Sequence, residues 1–281
     1  MRLLLVFGVV VCPLVAVFVG LLYLPVKNFY FSKEIPDLIF RINEDESVQS
    51  ISQRLKQNNL IISDYLFEHV ARLKNLDKEI KYGEFLLINK MSLIDVLKKI
   101  TSNEYLKYNI YVKNCITSWE IIKLLQKKYF LIDDLSNHVL EEGVFAPDTY
   151  NVGYKIRFSE ILEVMRVRQN KILQSEWNQR DLTIPIKSQS ELLILASIIE
   201  KEAATPSEMP KVASVFMNRL DKRMRLQSDP TVTYGIDLGN ITKRRQIKKS
   251  DLRVFTKHNT YRISGLPSSP ICNPSQSAIK A

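Results

Sequence analysis

The sequence predicts an α+β protein behind an N-terminal transmembrane helix. Three observations carry that expectation. Leu3 to Val26 is free of charge, a strand–helix pattern occurs twice, and an apolar helix ends on the carboxyl group of Glu200. The chain has 281 residues, 46% of them hydrophobic and 25% charged, enough for an anchor and one or two cored domains.

The first element is the apolar run. At a rise of about 1.5 Å per residue it spans a hydrocarbon core of roughly 30 Å. It is long for a signal-peptide core and has no small-x-small site near its end, so residues 1–26 read as an uncleaved anchor. Pro13 and Gly20 are tolerable inside a membrane helix. Arg2 on one side and Lys27 and Lys33 on the other encode orientation only weakly. With almost nothing ahead of the anchor, the folded mass is expected outside the cytoplasm. Residues 27–37 read as a tether.

Next comes a repeated pattern. Ile42–Ser47 precedes a helix over Val48–Gln57, and Val112–Thr117 precedes one over Ser118–Lys128. A constant offset matches Ser47 with Thr117, Ile51 with Ile121, Leu55 with Leu125 and Ile62 with Ile132. Thr117-x-x-Glu120 has capping-box spacing, in which two side chains satisfy exposed helical N–H groups reciprocally. Between the copies lie a helix Ser63–Leu76, an extended Lys81–Leu87 and a helix Ser92–Ile100. The resulting strand–helix–helix–strand–helix order predicts a small α+β module over residues 38–105.

The remainder, 106–281, reads as mixed α+β. Glu141–Tyr150 is a loop punctuated by Gly143, Pro147 and Asp148. A long helix covers Ser159–Trp177, and Asp181–Lys187 is expected to be extended. Ser188-x-x-Glu191, a second sequence with capping-box spacing, opens the helix bearing Glu200, and Pro206 ends it. A helix Ser207–Leu220 follows, and then a loop-rich stretch that includes the polar loop Gln227–Thr231.

Composition narrows the chemistry. The net charge of +10 suits an anionic partner. Lys243-Arg244-Arg245 and Lys248-Lys249 form the basic run. A nucleic-acid partner needs a cytoplasmic face, which the anchor opposes, so that run reads as a solvated loop or a contact to anionic groups. His69, His138 and His258 are isolated and suggest no metal site. GxSxG, P-loop and GxGxxG motifs are missing, and no cofactor is expected. Cys12 lies in the membrane run. Cys115 and Cys272 can pair in an oxidising compartment or remain free.

The stretch Leu192–Ala203 is the most informative one. A carboxyl group on an apolar helix tends to keep its proton, because desolvation disfavours the charged form, and a protonated Glu is what acid-catalysed glycosidic cleavage requires. Glu200 shares a stripe with Leu193, Ala196, Ser197 and Ala204, and small neighbours leave room beside it. Glu202 falls about 200° away at roughly 100° per residue, toward solvent, Lys201 or Arg219. Pattern alone leaves Glu200 balanced between a general acid and the polar end of a buried helix. Asn218-Arg219, Gln227-Ser228-Asp229 and Tyr234 supply the amide, hydroxyl, carboxylate and ring inventory of a sugar site. Each of them separately reads as capping or loop chemistry.

In these residues the chain resembles the endolytic murein transglycosylases, the YceG-like family. The likeness rests on Leu195–Glu202 (LASIIEKE), Val215–Leu220 (VFMNRL), Leu226–Gly235 (LQSDPTVTYG), Pro147–Tyr150, Asn259-Thr260-Tyr261 and Gly265-Leu266-Pro267. It implies that Glu200 is the catalytic acid and that Asn218, Arg219, Gln227, Ser228, Asp229 and Tyr234 bind substrate. It also implies a LysM-like subdomain over 38–105 and a catalytic domain over 106–281. The family is single-pass in the inner membrane, through residues 3–26 here, and faces the periplasm. It cuts nascent peptidoglycan strands internally, leaves 1,6-anhydro ends that stop glycan elongation, and is linked to the peptidoglycan synthases. The competing expectation is a non-enzymatic peptidoglycan-binding scaffold.

The chain departs from the family's pattern at four places. Asn114-Cys115 stand where Glu-Gly is usual, Ser268 where a second proline is common, and Ser275 where glycine follows Asn273-Pro274. The family continues beyond the point matched by Ala281, which implies a catalytic domain short at its C-terminus.

Overall fold

The computed structural model describes residues 15–24, 37–88, 90–134, 141–237 and 246–281. Most of the expected anchor, and Lys243-Arg244-Arg245 of the basic run, lie outside these residues. Residues 15–23 are helical (α1). Among the described residues, no helix is long and apolar enough to cross a membrane. The chain divides into two compact units, Met1–Tyr108 and Asn109–Ala281.

The first unit follows the order read from the sequence: β1 (Leu38–Ile42), α2 (Val48–Gln57), α3 (Asp64–Leu73), β2 (Gly83–Leu87) and α4 (Leu93–Thr101). The two strands are antiparallel, with Phe40 opposite Phe85 and Leu38 opposite Leu87. Period-2 alternation puts Phe40 and Ile42 on the buried face of β1, where α2, α3 and α4 supply Leu55, Phe67, Val96 and Ile100. Each helix begins at a serine whose hydroxyl accepts a first-turn N–H: Ser47, Ser63 and Ser92. Such caps contribute about 1 kcal/mol each. On the strand pair, buried Glu84 is held by its cross-strand partner Arg41 through Nε at 2.9 Å and Nη2 at 2.7 Å.

The second unit opens with β3 (Tyr108–Tyr111), α5 (Ser118–Gln126) and β4 (Leu131–Ile132). The internal repeat is real at the level of backbone geometry. Ser47 and Thr117 both cap the helix that follows, and Asp45 and Cys115 occupy equivalent left-handed turns with φ of 60° and 53°. The Thr117–Glu120 capping box is complete. β3 pairs with β5 (Thr149–Val152), and β4 pairs in parallel with β6 (Ile156–Arg157).

The helical part comprises α6 (Phe158–Gln179), α7 (Gln189–Glu202), α8 (Met209–Asp221), α9 (Asp229–Asp237) and α10 (Gln276–Lys280). α7 is central. Every residue from Leu192 to Ile199 is buried, and α6, α8, α9 and α10 all pack on it. Such a helix needs no polar face, because its neighbours cover its whole circumference.

Three local expectations need correction. Asp181–Lys187 is a turn rather than an extended segment, since Asp181 Oδ1 accepts from the Thr183 N–H and hydroxyl. The capping box at Ser188 is only half formed: Ser188 caps Glu191, while the Glu191 carboxylate takes the N–H of Lys187. The loop expected over Gln227–Thr231 becomes helical at Asp229. Pro230 fits a first helical turn, where its missing N–H costs nothing, and tertiary packing buries Thr231, Val232 and Gly235. Gly235 is required there, because a Cβ would sit 2.3 Å from Thr256 Oγ1.

Candidate active site

The carboxyl end of α7 presents two acids on opposite sides. Glu200 is half-buried, and its Oε2 accepts the backbone N–H of Ser275 at 3.0 Å and also the Ser275 hydroxyl. That serine simultaneously caps α10. Glu200 is therefore tied to the segment Ile271–Ser275, which lies along its stripe of α7: the Ile271 N–H donates to Ser197 Oγ at 3.0 Å.

Glu202 is exposed, and the polar cluster gathers around it. Its Oε1 accepts the Ser228 hydroxyl at 2.6 Å. Ser228 is buried, with its N–H donating to Thr260 Oγ1 at 2.9 Å, and Thr260 shares a 2.8 Å hydrogen bond with Thr231. Asp229 is exposed and accepts the Tyr261 hydroxyl at 2.7 Å. Burial and that hydrogen bond push the Tyr261 pKa up to about 12, and the negative charges of Asp229 and Glu202 add to the shift. Arg219 Nη1 donates to the carbonyl of Leu226, which pins the turn that leads into exposed Gln227. Gln227 itself takes a left-handed φ of 53°.

The expected substrate residues Arg219, Gln227, Ser228 and Asp229 are thus brought together, but beside Glu202 rather than Glu200. The angular separation on α7 was legible. Assigning Glu202 to the outer face missed that α9 begins on that face. Asn218 lies exposed on α8, just before Arg219. Tyr261 and Thr260 were read only as parts of a motif, and the Asn-Thr-Tyr run was their one signal. Asn259 explains its first member: its amide donates to the carbonyls of Leu252 and Val254, and its Oδ1 accepts the Tyr261 N–H.

Tyr234 stands at the other end of α9. Its hydroxyl approaches Glu142 Oε2 at 3.3 Å, and its ring meets His258 edge-on at 4.9 Å. Glu142, which sequence reasoning passed over inside a loop, accepts the Ser118 N–H and hydroxyl and the Asn273 amide on Oε1. Burial nevertheless pushes its pKa up to about 7, against the lowering effect of its hydrogen bonds. Cys115 and Cys272 are joined in a disulfide, one of the two states left open by the sequence. The bond ties the left-handed turn before α5 to the residue preceding Asn273, and Lys201 Nζ caps the Cys115 carbonyl at 2.8 Å.

The YceG-like family model matches residues 40–281, almost the whole chain. The chain belongs to the YceG-like family. It is 26% identical over 276 residues to the endolytic murein transglycosylase of Bacillus subtilis strain 168, covering 85% of this chain and 73% of that relative. The endolytic murein transglycosylase of Streptococcus pneumoniae strain D39 is 24% identical, over 85% of this chain. Of that longer pneumococcal relative, the chain spans about half, 51%. A crystal structure of a yceG-like protein from Listeria monocytogenes superposes with a TM-score of 0.51 at 25% identity, covering 89% of this chain and 90% of that one.

Proposed function

We propose that this YceG-like chain is a peptidoglycan lytic transglycosylase. It cleaves the bond between N-acetylmuramic acid and N-acetylglucosamine inside nascent strands and leaves 1,6-anhydro ends. Family membership and the relatives named for endolytic murein transglycosylation support the reaction class. The observation that carries the site is the meeting of the Glu202 carboxyl with Ser228, beside Asp229, Tyr261 and Arg219.

Two carboxyl groups end α7, and we assign the acid/base role to Glu202. It is open to substrate, whereas Glu200 Oε2 is occupied by two donors from Ser275. This moves the role from the residue expected on sequence alone. As the acid, Glu202 protonates the glycosidic oxygen. The resulting carboxylate then takes the proton of the muramoyl C6 hydroxyl, which closes onto C1. No water enters, so no second carboxylate is required, unlike in hydrolytic glycosidases. Asp229, Gln227 and Arg219 orient substrate, and Glu200 holds the Ser275 segment in place.

The apolar run over residues 3–26 fits a single membrane pass with the catalytic unit on the periplasmic face, where nascent strands and their synthases lie. Residues 38–105 fit a LysM-like subdomain. The test is incubation of the full-length chain in detergent with uncrosslinked glycan strands, followed by mass spectrometry. Anhydro-ended fragments support the reading, reducing ends indicate hydrolysis, and an absence of products from folded protein indicates a binding scaffold.

A further inference from the structure

We propose that a cavity of about 400 Å³ beside Tyr234 is a glycan subsite that takes the ring of a neutral N-acetylated hexosamine. This rests on the glycan-cleaving reading above and extends it to a part of the strand remote from the cut bond.

The cavity forms where the first turns of α7, the ring of Tyr234, Glu142 and the segment Ser268–Pro270 converge. Leu193 and Pro270 give it apolar walls, while Ser190, Ser269 and Glu142 supply hydroxyl and carboxyl groups. That mixture suits a sugar ring, which has C–H faces and a rim of hydroxyl and amide groups. Charge selects among sugars. The chain carries a net charge of +10, yet no Lys or Arg is among the described residues lining the cavity. A lactyl or peptide-stem carboxylate entering there would face Glu142 and Glu141 with no cation among the described lining residues, and burying an unpaired charge is costly. A neutral hexosamine meets no such penalty.

The walls are also fixed in advance. His258 braces the Tyr234 ring edge-on, and its Nε2 lies 2.8 Å from Ser269 Oγ. The Glu142 carboxyl is anchored through Oε1 by Ser118 and Asn273, which leaves Oε2 on the side of Tyr234. A site whose side chains are already ordered loses less entropy on binding. Its distance from the proposed acid is set by α7. Ser190 and Leu193 precede Glu202 on that helix by 12 and 9 residues, about 18 and about 13.5 Å at 1.5 Å per residue. The cavity therefore lies several sugar rings along the strand from the cut bond, as an enzyme gripping a strand on one side of its cut requires.

The experiment titrates the full-length chain in detergent with a tetramer of N-acetylglucosamine, followed by calorimetry, in parallel with the cleavage assay. Ser190→Trp adds bulk to the cavity lining from an exposed position, and Tyr234→Ala removes the ring. Both are expected to weaken binding at least tenfold. Ser190→Trp is expected to do so with an unchanged melting temperature and to alter the product length distribution. Wild-type chain that fails to bind the tetramer, or Ser190→Trp that binds it normally, overturns the subsite. So does a lysine-bearing peptide that binds wild type more tightly than the tetramer and is displaced by Ser190→Trp. Cleavage that continues in any of these cases leaves the proposed activity standing, whereas loss of both binding and cleavage in wild type removes the activity itself.

Discussion

The hydroxyl of Ser228 lies 2.6 Å from Glu202 Oε1, and Ser228 is itself immobilised by Thr260 through its backbone N–H. The carboxyl group therefore meets a fixed donor on one side while remaining open to solvent on the other. Hydrogen bonds to charged groups contribute about 1.5–3 kcal/mol. If Glu202 is the acid and Ser228 acts through it, Ser228→Ala lowers kcat roughly 10- to 100-fold with KM nearly unchanged. A rise in KM at constant kcat, measured on glycan strands, would place Ser228 in substrate binding instead.

Tyr261 bears on the neighbouring carboxylate. Its hydroxyl donates to Asp229 Oδ1, and both groups lie at the surface of the cluster. Tyr261→Phe frees Asp229 to rotate. If Asp229 orients substrate, KM rises a few-fold, the equivalent of about 1 kcal/mol, and kcat changes little. Steady-state kinetics separate the two, and an equal loss in both parameters contradicts the orienting role.

Glu142 makes stability depend on pH. Burial raises its pKa from the ordinary 4.5 to about 7 in the folded chain. The folded state therefore binds this proton more tightly than the unfolded state does. The stabilisation from this group is fully present below about 4.5 and is lost as pH rises through about 7. The loss amounts to roughly 3 kcal/mol at most. Glu142→Gln carries no such proton, so its melting temperature is expected to fall less than that of wild type between pH 5 and pH 8. Parallel pH slopes for the two proteins would show that the carboxyl is not the source.

Cys115 occupies a left-handed turn, at φ 53°, where a side chain is strained and the family resemblance leads one to expect glycine. The disulfide to Cys272, across a sequence separation of 157, offsets that cost by restricting the unfolded chain. Reduction is expected to lower the melting temperature by roughly 5–15 °C. Non-reducing peptide mapping should recover the crosslinked pair. Free thiols in protein isolated from its native compartment would contradict the bond.

Much of the first unit was legible because its signals are local. Serine caps, period-2 strands and amphipathic helices need only neighbours in sequence, and the helices begin at Ser47, Ser63 and Ser92 within a residue of where the pattern starts them. The repeat was legible for the same reason. α9 was not, because Thr231, Val232 and Gly235 are weak helix formers held helical by burial. The site was half legible. That Ser228, Asp229 and Arg219 belong together was readable by residue type, but which carboxyl group they gather around depends on where α9 docks against α7, and that is a long-range packing fact. Glu142 was hidden for a similar reason: its environment comes from Ser118, Tyr234 and Asn273, which are distant in sequence.

We propose Glu202 as the acid at the end of α7. The most direct test compares Glu202→Gln with Glu200→Gln, both as full-length chains, by the rate of formation of anhydro-ended products from uncrosslinked glycan strands. General acid–base catalysis contributes about 10²- to 10⁴-fold. Glu202→Gln is expected to lose activity on that scale with its melting temperature unchanged. Glu200→Gln is expected to lose thermal stability, because its contact with Ser275 weakens, while keeping most of its rate at temperatures where it is folded. The reverse pattern, with folded Glu200→Gln inactive and Glu202→Gln near wild type, would contradict the assignment.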